Sequence, residues 1–175
     1  RLAGLGVSQC AFCDGGLYVG QPVVVVGGGD AALQEALHLA EIGCDVTLLL
    51  RGAEPSARPA FVERAAHLPR RTEIDVLEIL GADGVEAVRI RDRQAGIEET
   101  LATRAAFVFV GLTPESALAP AEAARDGAGA LVTNTRLQTA AAGLYAIGAV
   151  RAGFGGSLNN ATDDARAVAE VIAAG

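Results

Sequence analysis

Four consecutive valines, Val23 to Val26, run without a polar break and stop at Gly27-Gly28-Gly29. A short, continuous, β-branched run of that kind predicts a strand buried on both faces. Over residues 31–42 the period changes: Leu33, Ala36, Leu37 and Ala40 recur at helical spacing, and Gly43 stands where a C-cap is expected. Residues 46–50 are again apolar and predict the next buried strand. Strand, turn, helix and strand in that order predict a right-handed crossover between two parallel neighbours.

Elsewhere the pattern is weaker. Residues 1–20 carry no sustained period and read as loop and turn around Cys10 and Cys13. A polar, proline-bounded connection over 51–59 leads to a short helix predicted over 60–68. Strands are predicted over 73–80, 85–92 and 98–103, joined at Asp83-Gly84 and Gln94-Ala95-Gly96, which makes a small antiparallel meander. Residues 106–110 return to the parallel sheet and stop at Gly111-Leu112-Thr113-Pro114. Beyond Pro114 the chain turns alanine-rich and polar, with short strands expected over 130–133 and 143–147 and a closing helix over 158–174. The expected fold class is α/β: a Rossmann-like unit with a parallel sheet and a small meander, and a boundary near Pro114.

Composition narrows the function classes. Half of the 175 residues are hydrophobic, enough for a core, yet no stretch reaches the roughly 18 apolar residues of a membrane span. No signal-peptide pattern opens the chain. Three cysteines, an odd number, speak against a disulfide-stapled secreted scaffold and for reduced thiols in the cytoplasm. The net charge of −7 speaks against nucleic acid, which needs clustered positive charge. There is no methionine, so Arg1 is not a natural start and the chain reads as a piece of something longer. All 14 basic residues are arginine, which excludes a lysine Schiff base or a phosphate-loop lysine.

Two segments carry the candidate chemistry. Gly27-Gly28-Gly29-Asp30-Ala31-Ala32 fits G-x-G-x-x-A between a strand and a helix. The first glycine permits the sharp turn, the second lets backbone approach a pyrophosphate, and the small third position lets helix and strand pack closely. The helix N-terminus then offers free N–H groups to the phosphates. The strand that follows ends Leu49-Leu50-Arg51-Gly52, without the acid that usually holds the ribose 2′-hydroxyl of NAD. Arg51 is a candidate cation for a 2′-phosphate, with Arg58 as a second, or else a solvated loop residue, so NADP and NAD both stay open. Cys10 and Cys13 have the spacing of a reversible dithiol. As half a zinc site they would need partners among Cys44, His38 and His67, none of them paired at ligand spacing. Cys44, between a helix end and a buried strand, reads as a core thiol. Asp14 is either a proton carrier beside the dithiol or the first residue of an Asp-Gly turn.

Read jointly, Gly6-Val7-Ser8-x-Cys10-Ala11-x-Cys13-Asp14-Gly15, Val25-x-Gly27-Gly28-Gly29-Asp30-x-Ala32-x-x-Glu35-Ala36 and Val46-x-Leu48 leading to Arg51 closely resemble the low-molecular-weight thioredoxin reductases. The flavoprotein subunit of alkyl hydroperoxide reductase belongs to the same group. The resemblance continues through Phe107-Val108-Phe109-Val110-Gly111-x-x-Pro114 and, more weakly, Gly143-Leu144-Tyr145-Ala146-Ile147-Gly148. It implies a homodimeric flavoenzyme in which an NAD(P)H domain, here 1–113, is inserted into a split FAD domain, here represented by 114–175. It implies electron flow from NAD(P)H to FAD, to the Cys10/Cys13 dithiol, and on to a thioredoxin-like protein or small-molecule disulfide. Cys13 would face the flavin, Cys10 would exchange with the substrate, and Asp14 would handle protons. Gly27, Gly28, Gly29, Asp30, Ala32, Arg51, Gly111 and Gly148 would contribute to cofactor binding, and no metal is implied. The chain also departs from the family. The first FAD glycine motif is missing, Gly148-Ala149 stands for Gly-Asp, and Gly155-Gly156-Ser157 for Arg-Gln. Leu50-Arg51-Gly52 with Ser56 stands for His-Arg-Arg-x-x-x-Arg, and Phe12 for the usual threonine. These departures motivate two other expectations: a nucleotide-binding or redox-sensing module with a decayed flavin site, and a dithiol oxidase that passes electrons to oxygen.

Overall fold

The computed structural model describes residues 2–174. Contacts divide the chain into two compact units, with the division after Gly111.

The first unit is built on a five-stranded parallel sheet. Its strands are β1 (Val7–Ser8), β2 (Pro22–Val26), β3 (Asp45–Leu49), β4 (Arg70–Arg71) and, after a long insertion, β8 (Ala105–Val108). Their order across the sheet is β1-β8-β2-β3-β4. The insertion is the antiparallel meander β5 (Ile74–Leu80), β6 (Ala87–Asp92) and β7 (Glu98–Ala102). The helices are α1 (Ala11–Asp14), α2 (Asp30–Glu41) and α3 (Pro59–Arg64). The mixed α/β architecture expected from the pattern is therefore present, with parallel sheet and meander both in place.

Alternation along the strands explains the layering. Val23 and Val25 of β2, Val46 and Leu48 of β3, and Phe107 of β8 point one way, into a core shared with Ala32, Leu33, Ala36 and Leu39 of α2. Val24, Leu49 and Ala106 point the other way and pack with Ile74, Val88 and Ile90 of the meander. Successive strand side chains face opposite sides, so the unbroken valine run is apolar because the sheet is covered on both faces. Register confirms the parallel pairing, Val23 opposite Val46 and Val25 opposite Leu48.

Three expectations for this unit need correction. Residues 1–20 are not all loop: Val7 and Ser8 pair with Ala106 and Phe107, and a one-turn helix follows at Ala11–Asp14. The short helix stops at Arg64 rather than reaching Leu68. A strand at Arg70–Arg71 was not expected, because two arginines carry no apolar signal. It pairs with β3 through backbone, with Leu48 N–H bonded to Pro69 O at 2.9 Å and Leu50 N–H to Arg71 O at 2.8 Å.

The second unit has little regular structure before α4 (Leu158–Ala173), whose Ser157 hydroxyl caps Asn160 N–H. The strands expected over 130–133 and 143–147 are only isolated bridges, Leu131 with Arg125 and Arg151, and Tyr145 with Gln138. The reason lies in side-chain size. The core here is Ala123, Leu131 and Ala146, flanked by Ala119, Ala141, Leu144 and Val150, too little apolar area to hold a ladder. Arg125 fastens the loops instead, donating to Ser116 O at 2.7 Å, Ala119 O at 2.8 Å and Ala123 O at 3.1 Å. Among the described residues no helix is long and apolar enough to cross a membrane.

Candidate active site

Helix α2 carries both candidate segments. Its N-terminus opens from the glycine turn, and its second half supports the cysteine turn.

The glycine turn is shaped by β2 and β8. Gly27 adopts φ +137°, and a methyl group there would run into the carbonyl oxygen of Phe109 and press on the Ala32 methyl. Only glycine fits that conformation, and only a small residue fits at position 32, which is fully buried. Gly29 differs: a methyl on it would meet nothing within 4 Å. It is the N-cap of α2 and supplies no side chain to the first-turn N–H groups, so the open space above them suits a pyrophosphate.

Asp30 does not cap its own helix. Its carboxylate accepts the backbone N–H of Arg58 at 2.7 Å and Arg58 Nε at 2.5 Å. Those bonds, the backbone one foremost, hold the carboxyl below its usual range. Ser56 N–H reaches back to Gly28 O at 2.8 Å. The polar connection 51–58 therefore folds onto the glycine turn, a contact invisible in the pattern. Arg51 is exposed, and its carbonyl accepts Arg93 Nη1 at 3.2 Å.

Cys10 and Cys13 are joined in a disulfide, with their Cα atoms 5.3 Å apart. Cys10 is the N-cap of α1, and its sulfur accepts Cys13 N–H at 3.1 Å. Ser8 Oγ accepts Cys10 N–H at 3.1 Å. Two further contacts tie the turn to α2. Glu35 Oε2 accepts Ala11 N–H at 2.6 Å, and the Phe12 ring stacks on His38 at 3.7 Å between centroids and 10° between planes. Gly15 lies so close to Leu39 and Ile42 that an added methyl would overlap both. Asp14 is half-buried beside the disulfide, and its carboxylate has no donor among the described residues. Cys44 sits in the core under this turn, its thiol 3.6 Å from Gly15 O, and burial pushes that thiol up.

Through Ala11, Phe12 and Gly15 the cysteine turn therefore rests on the same helix that opens at Gly29 and Asp30. From Asp30 to His38 the separation along the axis is about 12 Å. Glu35 and Ser8 were not singled out as site residues, and His38 was weighed only as a partner in a zinc site. The signal was present for two of them: Glu35 and His38 are three residues apart, so they share one face of a helix. Gly111, at φ +98°, ends the first unit. Gly148 lies in the second, where its N–H donates to Asp164 Oδ2 at 2.9 Å. Arg151 clasps the same carboxylate through Nε at 2.6 Å and Nη2 at 2.7 Å. The guanidinium, foremost, holds Asp164 below the usual carboxylate range.

A family model described as pyridine nucleotide-disulphide oxidoreductase matches residues 2–166. The chain belongs to that family. It is 35% identical over 97% of its length to a thioredoxin reductase of Treponema pallidum, of which it covers 56%. It is 36% identical over 84% of its length to one of Mycolicibacterium smegmatis, of which it covers 49%. Among solved structures, the thioredoxin reductase of T. acidophilum superimposes with a TM-score of 0.89 at 30% identity, over 96% of this chain and 57% of that one. This member of the family therefore spans about half the length of the relatives it matches.

Proposed function

We propose that the chain is part of an FAD-dependent NAD(P)H:disulfide oxidoreductase that reduces a disulfide such as that of thioredoxin. The observation that carries the reading is the attachment of the Cys10–Cys13 disulfide to the very helix that opens from the glycine turn. In this reading residues 1–113 bind the nicotinamide nucleotide and 114–175 are the C-terminal portion of the flavin domain. The three relatives described above carry the name thioredoxin reductase, which supports the substrate class.

When bound, the nicotinamide would supply a hydride, and a flavin would supply the means of passing electrons to a disulfide. The protein residues do the rest. Gly27 and Ala32 bring α2 close to the sheet, Gly29 leaves room for the pyrophosphate, and the uncapped first-turn N–H groups hold it. Arg51 and Arg58 are the candidate cations for a 2′-phosphate. Arg58 is already held by Asp30, which leaves Arg51 as the uncommitted cation and both nucleotides as candidates. Cys13 is the sulfur that would face the flavin. Cys10 leaves as thiolate, stabilised by Cys13 N–H, and exchanges with the substrate disulfide. Asp14, with no competing donor, holds the proton that moves as thiolate forms and disappears. Glu35 and Ser8 hold the turn in place by accepting Ala11 N–H and Cys10 N–H. We further assign the full-length protein to the cytoplasm, as a homodimer, on the strength of its free core thiol and its family.

The residues present fit the nucleotide better than the flavin. Ala149 offers no carboxylate, while Asp164 and the Gly148 N–H are bonded to each other. That observation favours a second reading, a redox-sensing module whose flavin site has decayed. The test is the full-length protein with oxidised thioredoxin, NADPH and NADH. A yellow preparation that bleaches with a nicotinamide and reduces thioredoxin supports the enzyme, and Cys13→Ser should then abolish turnover. A colourless protein that still binds nucleotide supports the sensor.

A further inference from the structure

Phe12 is 73% exposed, yet its ring is not free. It lies flat on the imidazole of His38, one turn along α2 from the Glu35 carboxylate that grips Ala11. With Gly15 pressed against Leu39 and Ile42, the cysteine turn is fixed to α2 at three successive levels. An exposed ring held in one orientation, directly bonded in sequence to Cys13, is a surface that any incoming disulfide has to meet. Leu17 and Val19, 75% and 54% exposed, extend the apolar character of the segment. Over residues 9–20 the only charged side chain is Asp14, and there is no basic residue.

We propose that Phe12, braced by His38, is the specificity-determining side chain of the dithiol, selecting uncharged disulfides with an aromatic or apolar neighbour over anionic ones. Sulfur and aromatic groups both gain from contact with a presented ring. An anionic disulfide such as that of glutathione meets Asp14 and no cation in the segment, and like charges brought together oppose association. Phe12 touches the substrate; His38 is a positioning residue that acts through it. The inference rests on the dithiol reading above. In the step concerned, one thiolate of the reduced pair attacks the incoming S–S bond and releases one half as a thiol. The second cysteine then displaces the other half and re-forms the Cys10–Cys13 bond. Two electrons pass to the substrate, and the protons of the dithiol end on the released thiols.

The test is stopped-flow exchange of the chain, prereduced with dithiothreitol and desalted, in a Cys44→Ala background that removes the third thiol. The probes are 4,4′-dithiodipyridine, 2-hydroxyethyl disulfide and glutathione disulfide. Phe12→Ala should slow the aromatic probe roughly three- to tenfold, the rate equivalent of one aromatic contact. Hydroxyethyl disulfide should change less than twofold, so the ratio between probes collapses. His38→Ala should act with the same sign, and His38→Phe, which keeps a ring beneath Phe12, should restore the ratio. A merely structural role would slow all three probes alike, and that result, or no change at all, overturns the proposal. If the parent chain exchanges with none of the probes, the dithiol reading itself fails, and this inference fails with it.

Discussion

Replacing Glu35 with alanine separates the anchoring of the cysteine turn from its chemistry. The carboxylate accepts one bond, from Ala11 N–H at 2.6 Å, at a half-buried position. A hydrogen bond to a charged group contributes about 1.5–3 kcal/mol, and partial solvent access puts this one at the lower end. About 1.5 kcal/mol corresponds to roughly tenfold in an opening equilibrium. Spread over a domain of this size it would move the melting temperature by only a few degrees. The turn lies at the surface, so the loss should appear first as local opening rather than global unfolding. The assay is native-state amide exchange. In Glu35→Ala the Ala11 amide should exchange roughly tenfold faster, while Val24 and Val25 in the sheet keep their rates. Glu35→Gln retains a carbonyl acceptor and should lose less than half of that protection. Unchanged protection of Ala11 in the alanine variant would refute the anchoring role of α2.

Three further outcomes follow from the same geometry. Gly27→Ala, which drives a methyl into Phe109 O at a positive φ, should cost at least about 3 kcal/mol by urea denaturation; a near-neutral value would contradict the turn described here. NADPH or NADH at ten times its dissociation constant should stabilise the chain by about 1.4 kcal/mol, seen as a higher thermal midpoint; no shift with either at millimolar concentration would mean the turn holds no nucleotide. Asp30 and Asp164 both have folded carboxyls held below their unfolded range. Their contribution is therefore complete above the unfolded carboxylate value and is lost as pH falls through the folded one. Melting of the parent and of Asp30→Asn should differ at pH 7 and converge in acid; a gap independent of pH would mean the Arg58 bonds do not favour the charged form.

Local pattern determined much of this protein. The valine run, the spacing of Leu33, Ala36 and Leu37, and the glycines at 27–29 specify β2, the turn and α2, because strand burial, helical period and backbone freedom are properties of neighbouring residues. The meander was legible for the same reason, its strands alternating between clear turn residues. The Cys10–Cys13 spacing likewise suited a bonded pair, and the two sulfurs are joined in a disulfide. The rest depended on distant partners. Arg70 and Arg71 form a strand only because β3 presents free backbone groups to them. Residues 130–133 and 143–147 have strand-like composition but no neighbour with enough apolar surface to extend a single bridge into a ladder. Asp30 was expected to contribute to cofactor binding, and no local pattern tells that Arg58, 28 positions on, closes over it. Most telling is the pairing of Glu35 with Ala11 and His38 with Phe12. Each residue's helical or turn state follows from its neighbours. That a polar face of α2 should receive the disulfide is decided by the packing of α1 on α2, which involves residues more than twenty apart and is set by shape and hydrogen bonding across the fold.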